Sequence, residues 1–209
     1  MEDIILAGFG GHALSVADSI EKAGKYRILG YTDIVVNPTS IYEYLGQDEV
    51  LEAWHSKGVH AAAVGVGYLG KGDVRDRLYD KLKRAGFALP PIIDPDAVLA
   101  RDAEIGEGSY IGKGAVVNAR SHVGRMCIIN THATLEHENS VGDFSHIAVG
   151  AALCGNVAVG EHVFIGANAT IIQGVRIGMN TIIGAGSLVL RHVGPNTISF
   201  GIVRDRNEE

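Results

Sequence analysis

The segment NTHATLEHENSVGDFSHIAVGA, residues 130–151, carries three histidines and three acidic residues among small neighbours. Within it, Glu136-His137-Glu138 places an imidazole between two carboxylates. A neutral imidazole can take a proton from a nucleophile near pH 7, and an adjacent carboxylate can fix its tautomer and raise its basicity. His146 follows nine residues later and can approach the same ligand from another side. The competing reading is a solvated corner, because nine histidines in one chain cluster readily by chance. The triplet alone leaves both open.

What must position these residues is a repeat. From Leu99, every sixth residue through Ile105, Ile111 and onward to Val189 is Leu, Ile or Val, sixteen positions without a slip. Four residues after each aliphatic stands mostly a small or β-branched residue, such as Ala103, Ser109, Ala115 and Cys127, and glycine often follows the aliphatic directly. This is the signature of a parallel β-helix built from hexapeptides. The aliphatic points inward, the small residue fills the space beside it, and glycine is expected to permit the corner turn. Cys127 reads as core filler, and neither it nor Cys154 implies a disulfide framework.

The pattern resembles the left-handed hexapeptide-repeat proteins, whose coils take three hexads, so residue i is expected to stack beneath i+18 at about 4.8 Å. His137 then lies beneath Gly155, whose N–H can polarise a carbonyl oxygen while the ring acts as base. His122, His162 and His192 are expected at the surface. His132 and His137, five apart, also match the zinc-binding histidine pair of the gamma-class carbonic anhydrases. The third ligand of such a site should lie two coils earlier, where this chain has Asp96 and Arg101 and no histidine between His60 and His122. No metal is expected.

Residues 1–92 read differently. DIILAG, YRILGYTD and HAAAVGVG are strand-like, whereas HALSVADSIEKAG, DEVLEAWHSKG and DVRDRLYDKLKRAGF have helical spacing. In the last of these, Val74, Leu78, Leu82 and Ala85 share a face. Alternation of this kind predicts a small Rossmann-like parallel α/β domain. LPPIIDPDA, with three of the five prolines, leads out of it into a β-helix domain over 93–209. A net charge of −6 argues against nucleic acid or an anionic membrane as partner. No apolar run approaches a membrane span of ~20 residues. The opening MEDIILAGFG lacks the basic start of a secretory signal, so a cytoplasmic location is expected.

Two stretches carry a resemblance. The opening LAGFGGHALSVAD, and NTHATLEHENSVGDFSHIAVGA followed by LCGNVAVGEHVFIGANATI, make the chain similar to the NeuD/PglD family of sugar O- and N-acetyltransferases. The resemblance implies a left-handed β-helix and acetyl-CoA as co-substrate. It gives His137 as general base, with Glu138 increasing its basicity. His146 and the Gly155 backbone engage the acetyl thioester, Ala167 and Ala185 bind the pantetheine arm, and Asn130 stands where an active-site asparagine would. Gly10, Gly11, His12, Asp33 and Gly65 are implied to hold the nucleotide of a nucleotide-linked amino sugar. A homotrimer with the coenzyme between adjacent β-helices is also implied. Bottom-up chemistry agrees: glycines at a strand-to-helix turn let backbone N–H groups reach phosphate, and Asp33 can accept hydrogen bonds from a base or ribose. GFGGH lacks the third glycine of a dinucleotide fingerprint, so one nucleotide is expected and not NAD. The family's closing Gly-Val-Pro-Ala turn is replaced by FGIVRDRNEE, where Arg204 or Arg206 takes the place of its basic residue. Two alternatives remain, a sialic acid-type O-acetyltransferase and a non-catalytic trimeric binding protein.

Overall fold

The computed structural model describes residues 1–204. The chain forms two compact units, one of Met1–Gly67 with Gly72–Pro95, the other of Tyr68–Lys71 with the chain from Asp96 onward. The division falls three residues later than the sequence boundary, and four residues of the first half belong to the second unit.

In the first unit, β1 (Glu2–Ala7), β2 (Tyr26–Thr32), β3 (Glu43–Gly46) and β4 (Ala61–Val64) form a parallel sheet in the order β3-β2-β1-β4. β1 is central, and Ile4, Ile5, Leu6 and Ala7 are fully buried, as a strand covered on both faces requires. Helix α1 (Gly11–Ala23) buries Ala13, Val16, Ala17 and Ile20, and Gly24 ends it in the left-handed conformation. Helix α2 (Leu51–Ser56) is shorter than its sequence pattern, because Asp48–Val50 forms a 3₁₀ turn instead. In α3 (Val74–Arg84), Leu78 and Leu82 are buried but Val74, at the exposed first turn, is not. The edge strand β3 gives no sequence signal of its own; it pairs Glu43 and Tyr44 with Gly30 and Tyr31.

The second unit is a left-handed parallel β-helix. From Val98 to Val189 two-residue strands recur every six residues and stack in three parallel sheets with partners 18 positions apart, as Thr134 on Ala152 or His146 on Phe164; the closing strands shorten the step, with Ile198 on Ile182 and Ile202 on Leu188. The aliphatic column is buried from Ile111 to Val189, whereas Leu99 and Ile105 at the open end are partly exposed. Inward hydroxyls tie coil to coil: Ser109 Oγ donates to Gly124 O at 2.7 Å and accepts Cys127 N–H at 2.8 Å.

The corner glycines do a different job from the one expected. The residue in the left-handed region lies two positions beyond the glycine column, at Arg120, Met126, His132, Glu138, Phe144 and Asn156 among others, with φ of 55–61°. Its N–H is satisfied by the coil below, as Glu138 N–H by Ala119 O at 2.9 Å. The glycines after the aliphatics serve close approach: a Cβ on Gly142 would lie 2.6 Å from Gly160 C, and one on Gly160 2.7 Å from Met179 N. Among the described residues no helix is long and apolar enough to cross a membrane.

Candidate active site

His137 sits at the corner between the Thr134–Leu135 and Ser140–Val141 strands. Successive residues of an extended chain point to opposite sides. Here Glu138 adopts φ 61°, and the turn brings its Oε2 to 3.3 Å from His137 Nδ1. A carboxylate only accepts, so Nδ1 carries the proton and Nε2 keeps its lone pair. Among the described residues Nε2 has no hydrogen-bond partner. The other oxygen of Glu138 faces Arg120 Nη1 at 3.7 Å, an exposed pair one coil below.

The ring rises over Gly155. A Cβ added there would lie 2.5 Å from both Nε2 and Cε1 of His137. Gly155 is not in the left-handed region, so it is glycine because the imidazole occupies the side-chain space. It is buried, its carbonyl accepts Gly174 N–H at 3.0 Å, and among the described residues its own N–H donates to nothing. Base and free donor thus share one corner. Histidine over glycine is not unique to it, since His132 covers Gly114 in the same way.

His146, buried on the outward side of another sheet, is held differently. Its Nδ1 lies 2.5 Å from Tyr68 O, and its Nε2 lies 3.1 Å from Asn130 Nδ2. Because a carbonyl cannot donate, Nδ1–H is the donor and Nε2 accepts from the Asn130 amide. The amide orientation is fixed independently, as Asn130 Oδ1 accepts Thr131 N–H at 2.8 Å. Phe164 packs edge-on against the ring, 5.2 Å between centroids. His146 in this state offers a thioester carbonyl no donor. Tyr68, 78 residues away in sequence, gave no signal before the fold was known.

Ala167 and Ala185 stack at the corner where Asn130 lies, and among the described residues neither N–H is used. Outward N–H groups one coil apart suit the amides of a pantetheine arm. The expected site residues therefore divide between two corners: His137, Glu138 and Gly155 on one, Asn130, Ala167, Ala185 and the nearby His146 on the other. One side of the triangle separates them, roughly 15 Å for about five extended residues. His122 and His192 are exposed, as expected; His162 is not, being half-buried and stacked on Phe144 at 5.2 Å. Arg204 is exposed, and its carbonyl accepts Arg191 Nε at 3.1 Å. Arg206 lies outside the described residues. Among the described residues no three His, Cys, Asp or Glu side chains gather as a metal site.

In the first unit, Gly10 and Gly11 open α1 with no capping side chain, no acid in the first turn and nothing within 4 Å of an added Cβ. Neither conformation nor internal packing demands glycine there, which leaves the helix N-terminus open to an anion. Gly65 differs: a Cβ would run into the Gly8 carbonyl and lie 2.7 Å from Ala13 Cβ, so it serves the close approach of the glycine turn and α1 to the end of β4. His12 is half-buried beside Gly67. Asp33 accepts Phe9 N–H and Ile34 N–H, each at 2.7 Å, tying the glycine turn to the end of β2. Residues 31–46 build an aromatic cluster in which Phe9 stacks on Tyr31 at 4.5 Å and meets Tyr42 edge-on. A cavity of about 270 Å³ lies between that loop and α1. Burial and a hydrogen bond to Glu21 push the Tyr42 hydroxyl well above its ordinary pKa.

The β-helix, with an imidazole stacked on a glycine whose N–H is unused among the described residues, defines a hexapeptide-repeat acyltransferase. Residues 3–82 match the PglD N-terminal domain, and residues 156–191 match the bacterial transferase hexapeptide (six repeats). A histidine-to-alanine variant of GDP-perosamine N-acetyltransferase from Caulobacter crescentus, in complex with CoA and GDP-perosamine, is 31% identical over 96% of this chain and 94% of that one, with a TM-score of 0.91. PerB from the same organism, with the same two ligands, is 32% identical over 96% and 95%, TM-score 0.90. The acetyltransferase domain of PglB from Neisseria gonorrhoeae, in complex with acetyl coenzyme A, is 29% identical over 96% of each chain, TM-score 0.89. The chain belongs to the NeuD/PglD family of sugar acetyltransferases.

Proposed function

We propose that the protein transfers the acetyl group of acetyl-CoA directly to the amine of a nucleotide-linked amino sugar. The observation that carries this is the His137 imidazole, Nδ1–H toward Glu138, filling the side-chain space of Gly155, a residue whose own N–H is unused among the described residues. The relatives with bound CoA and GDP-perosamine support the same substrates. The amine nitrogen attacks the thioester carbonyl as its proton passes to His137 Nε2. The oxyanion is met by Gly155 N–H. The C–S bond then breaks, and the CoA thiolate takes up the proton from the imidazolium. No covalent enzyme intermediate is required, and Cys154 has no role in the transfer. Glu138 holds the ring in the reactive tautomer. Asn130 and His146 act as a unit on the coenzyme side, with the pantetheine amides on Ala167 and Ala185. Gly10, Gly11 and His12 receive the diphosphate, and Asp33 retains lone pairs for the nucleoside.

The division of these residues between two corners supports a homotrimer. The sheet between the corners turns outward Val98, Val116, Thr134, Ala152, Thr170 and Leu188, without a charge. The next sheet turns out Glu104, His122, Ser140, Ala158 and Arg176. An uncharged face set against a three-fold axis would bring the His137 corner of one copy beside the Ala185 corner of the next. Acetyl-CoA is an intracellular metabolite, which supports a cytoplasmic location.

The test is turnover of GDP-, UDP- and dTDP-linked amino sugars with acetyl-CoA, read by mass spectrometry. An alkali-stable amide is expected, and an alkali-labile ester would transfer the reading to a hydroxyl acceptor. His137→Ala should lower kcat by about 10²–10⁴-fold with coenzyme binding retained. Unchanged turnover in that variant removes His137 as base.

A further inference from the structure

The interior column that follows each corner holds small residues: serine, alanine, valine, cysteine or threonine. Asn139 is the one amide in it, and it closes the corner that presents His137. The residue is 1% exposed. The serines of the column grip the next coil, as Ser145 Oγ donates to Gly160 O at 2.8 Å and accepts Val163 N–H at 3.0 Å; Thr181 adds a long contact to Met179 O of its own coil at 3.4 Å. Asn139 reaches both ways. Its Oδ1 accepts Val157 N–H of the coil above at 2.9 Å, while its Nδ2 turns back to Glu136 O at 2.5 Å and approaches Leu153 O at 3.4 Å. Its own N–H donates to Ser121 Oγ at 3.2 Å, and that hydroxyl also donates to Glu136 O at 2.8 Å.

The residues so gripped bracket the proposed chemistry. Glu136 precedes the general base, and Val157 is two residues beyond the oxyanion donor. We infer that Asn139 is a positioning residue: by holding both corners with one rigid amide, it sets the separation and orientation of the His137 imidazole and the Gly155 N–H. It touches neither substrate nor coenzyme. A buried amide with donor and acceptor both engaged resists displacement, because leaving either unpaired away from water is costly. This inference rests on the acetyl-transfer reading above.

Asn139→Ser isolates the effect. A serine can still accept Val157 N–H and link the two coils, as serines elsewhere in the column do, but it releases Glu136 O from the amide. The expected result is a kcat about ten- to a hundredfold lower, with KM for both substrates within about twofold, since misplacement on the ångström scale has this order of effect on rate. Coenzyme binding by calorimetry should stay stoichiometric. Ser109→Ala, which removes an interior hydroxyl linking two coils at another corner, should keep wild-type kcat even if its unfolding midpoint falls as far. Wild-type kcat in Asn139→Ser overturns the inference. So does a kcat loss matched by an equal loss of coenzyme-binding sites, which marks a merely structural role. Asn139→Cys, with a weaker donor of similar size to serine, serves as the second variant should Asn139→Ser not fold, and is read by the same criteria. His137→Ala assayed in parallel separates the two failures. If it is inert and Asn139→Ser is fully active, only the positioning role falls; if it too is fully active, the proposed base falls first.

Discussion

At the scale of single residues, the site depends on a conformation that most side chains avoid. Glu138 in the left-handed region costs roughly 1–2 kcal/mol relative to glycine, yet it turns two successive side chains toward each other. The position has an inherent place in the fold, since every corner needs one such residue. Gly155 carries the complementary constraint. Gly155→Ala places a methyl group where the imidazole lies, 2.5 Å from Nε2, so the ring must leave its place over the donor. The expected outcome is a kcat loss of about 10²–10³-fold, the order seen when one oxyanion donor is removed, with nucleotide-sugar binding unchanged. Steady-state kinetics beside equilibrium binding of the sugar checks it, and a variant with normal kcat would mean that ring and donor act apart. His137 facing Gly155 was legible in the sequence, because an 18-residue coil makes stacking a matter of counting. Asn139 was not, since its composition reads as one more interior position. The tautomer of His146 depends on a carbonyl 78 residues away, which no local pattern encodes.

At the scale of elements, the hexapeptide pattern contains two kinds of glycine that look alike in sequence. One kind allows coils to approach, as Gly142 against Gly160; the other relieves left-handed corners, as Gly174 at φ 74° with open space around it. The distinction predicts opposite responses. Gly142→Ala forces backbone apart and should cost about 1–3 kcal/mol, as overpacking does. Gly174→Asn should cost less than about 1 kcal/mol, because asparagine enters this region readily and already occupies it at Asn156, Asn168, Asn180 and Asn196. Thermal unfolding midpoints of the two variants decide the matter, and a larger drop for Gly174→Asn would reverse the assignment. The six-residue period made the buried aliphatic column readable in advance, and the resemblance to left-handed hexapeptide-repeat proteins supplied the 18-residue coil. It did not say which glycine served which purpose, because both choices follow from contacts 18 residues away. In the first unit, the central strand was plain from an unbroken apolar run. The edge strand Glu43–Gly46 was not: exposed on one side, it needs no apolar pattern, and Tyr31 and Tyr44 define it only after folding.

At the scale of the whole molecule, the residues expected to touch one coenzyme lie on two corners of a single chain, and the family resemblance implies a coenzyme bound between adjacent β-helices of a trimer. The proposed cyclic trimer would join the two corners without moving any residue, since rotation about an axis facing the uncharged sheet sets unlike corners side by side. This arrangement makes a prediction that a self-contained monomer does not share. A chain carrying His137→Ala and a chain carrying Ala185→Trp, which fills the pantetheine corner, are each inactive alone. Within one chain each substitution spoils that chain's own site, so if sites were intramolecular a mixture would stay inactive. If sites lie between copies, unfolding and refolding the two together creates interfaces in which an intact His137 corner meets an intact Ala185 corner. Random assembly gives roughly one such interface in four, and about a quarter of wild-type turnover should return after co-refolding but not after simple mixing of the folded species. Sedimentation must show the same trimer throughout. A mixture that stays silent while trimers form places the whole reaction on one chain, and requires the coenzyme to be bound by residues other than Ala167 and Ala185.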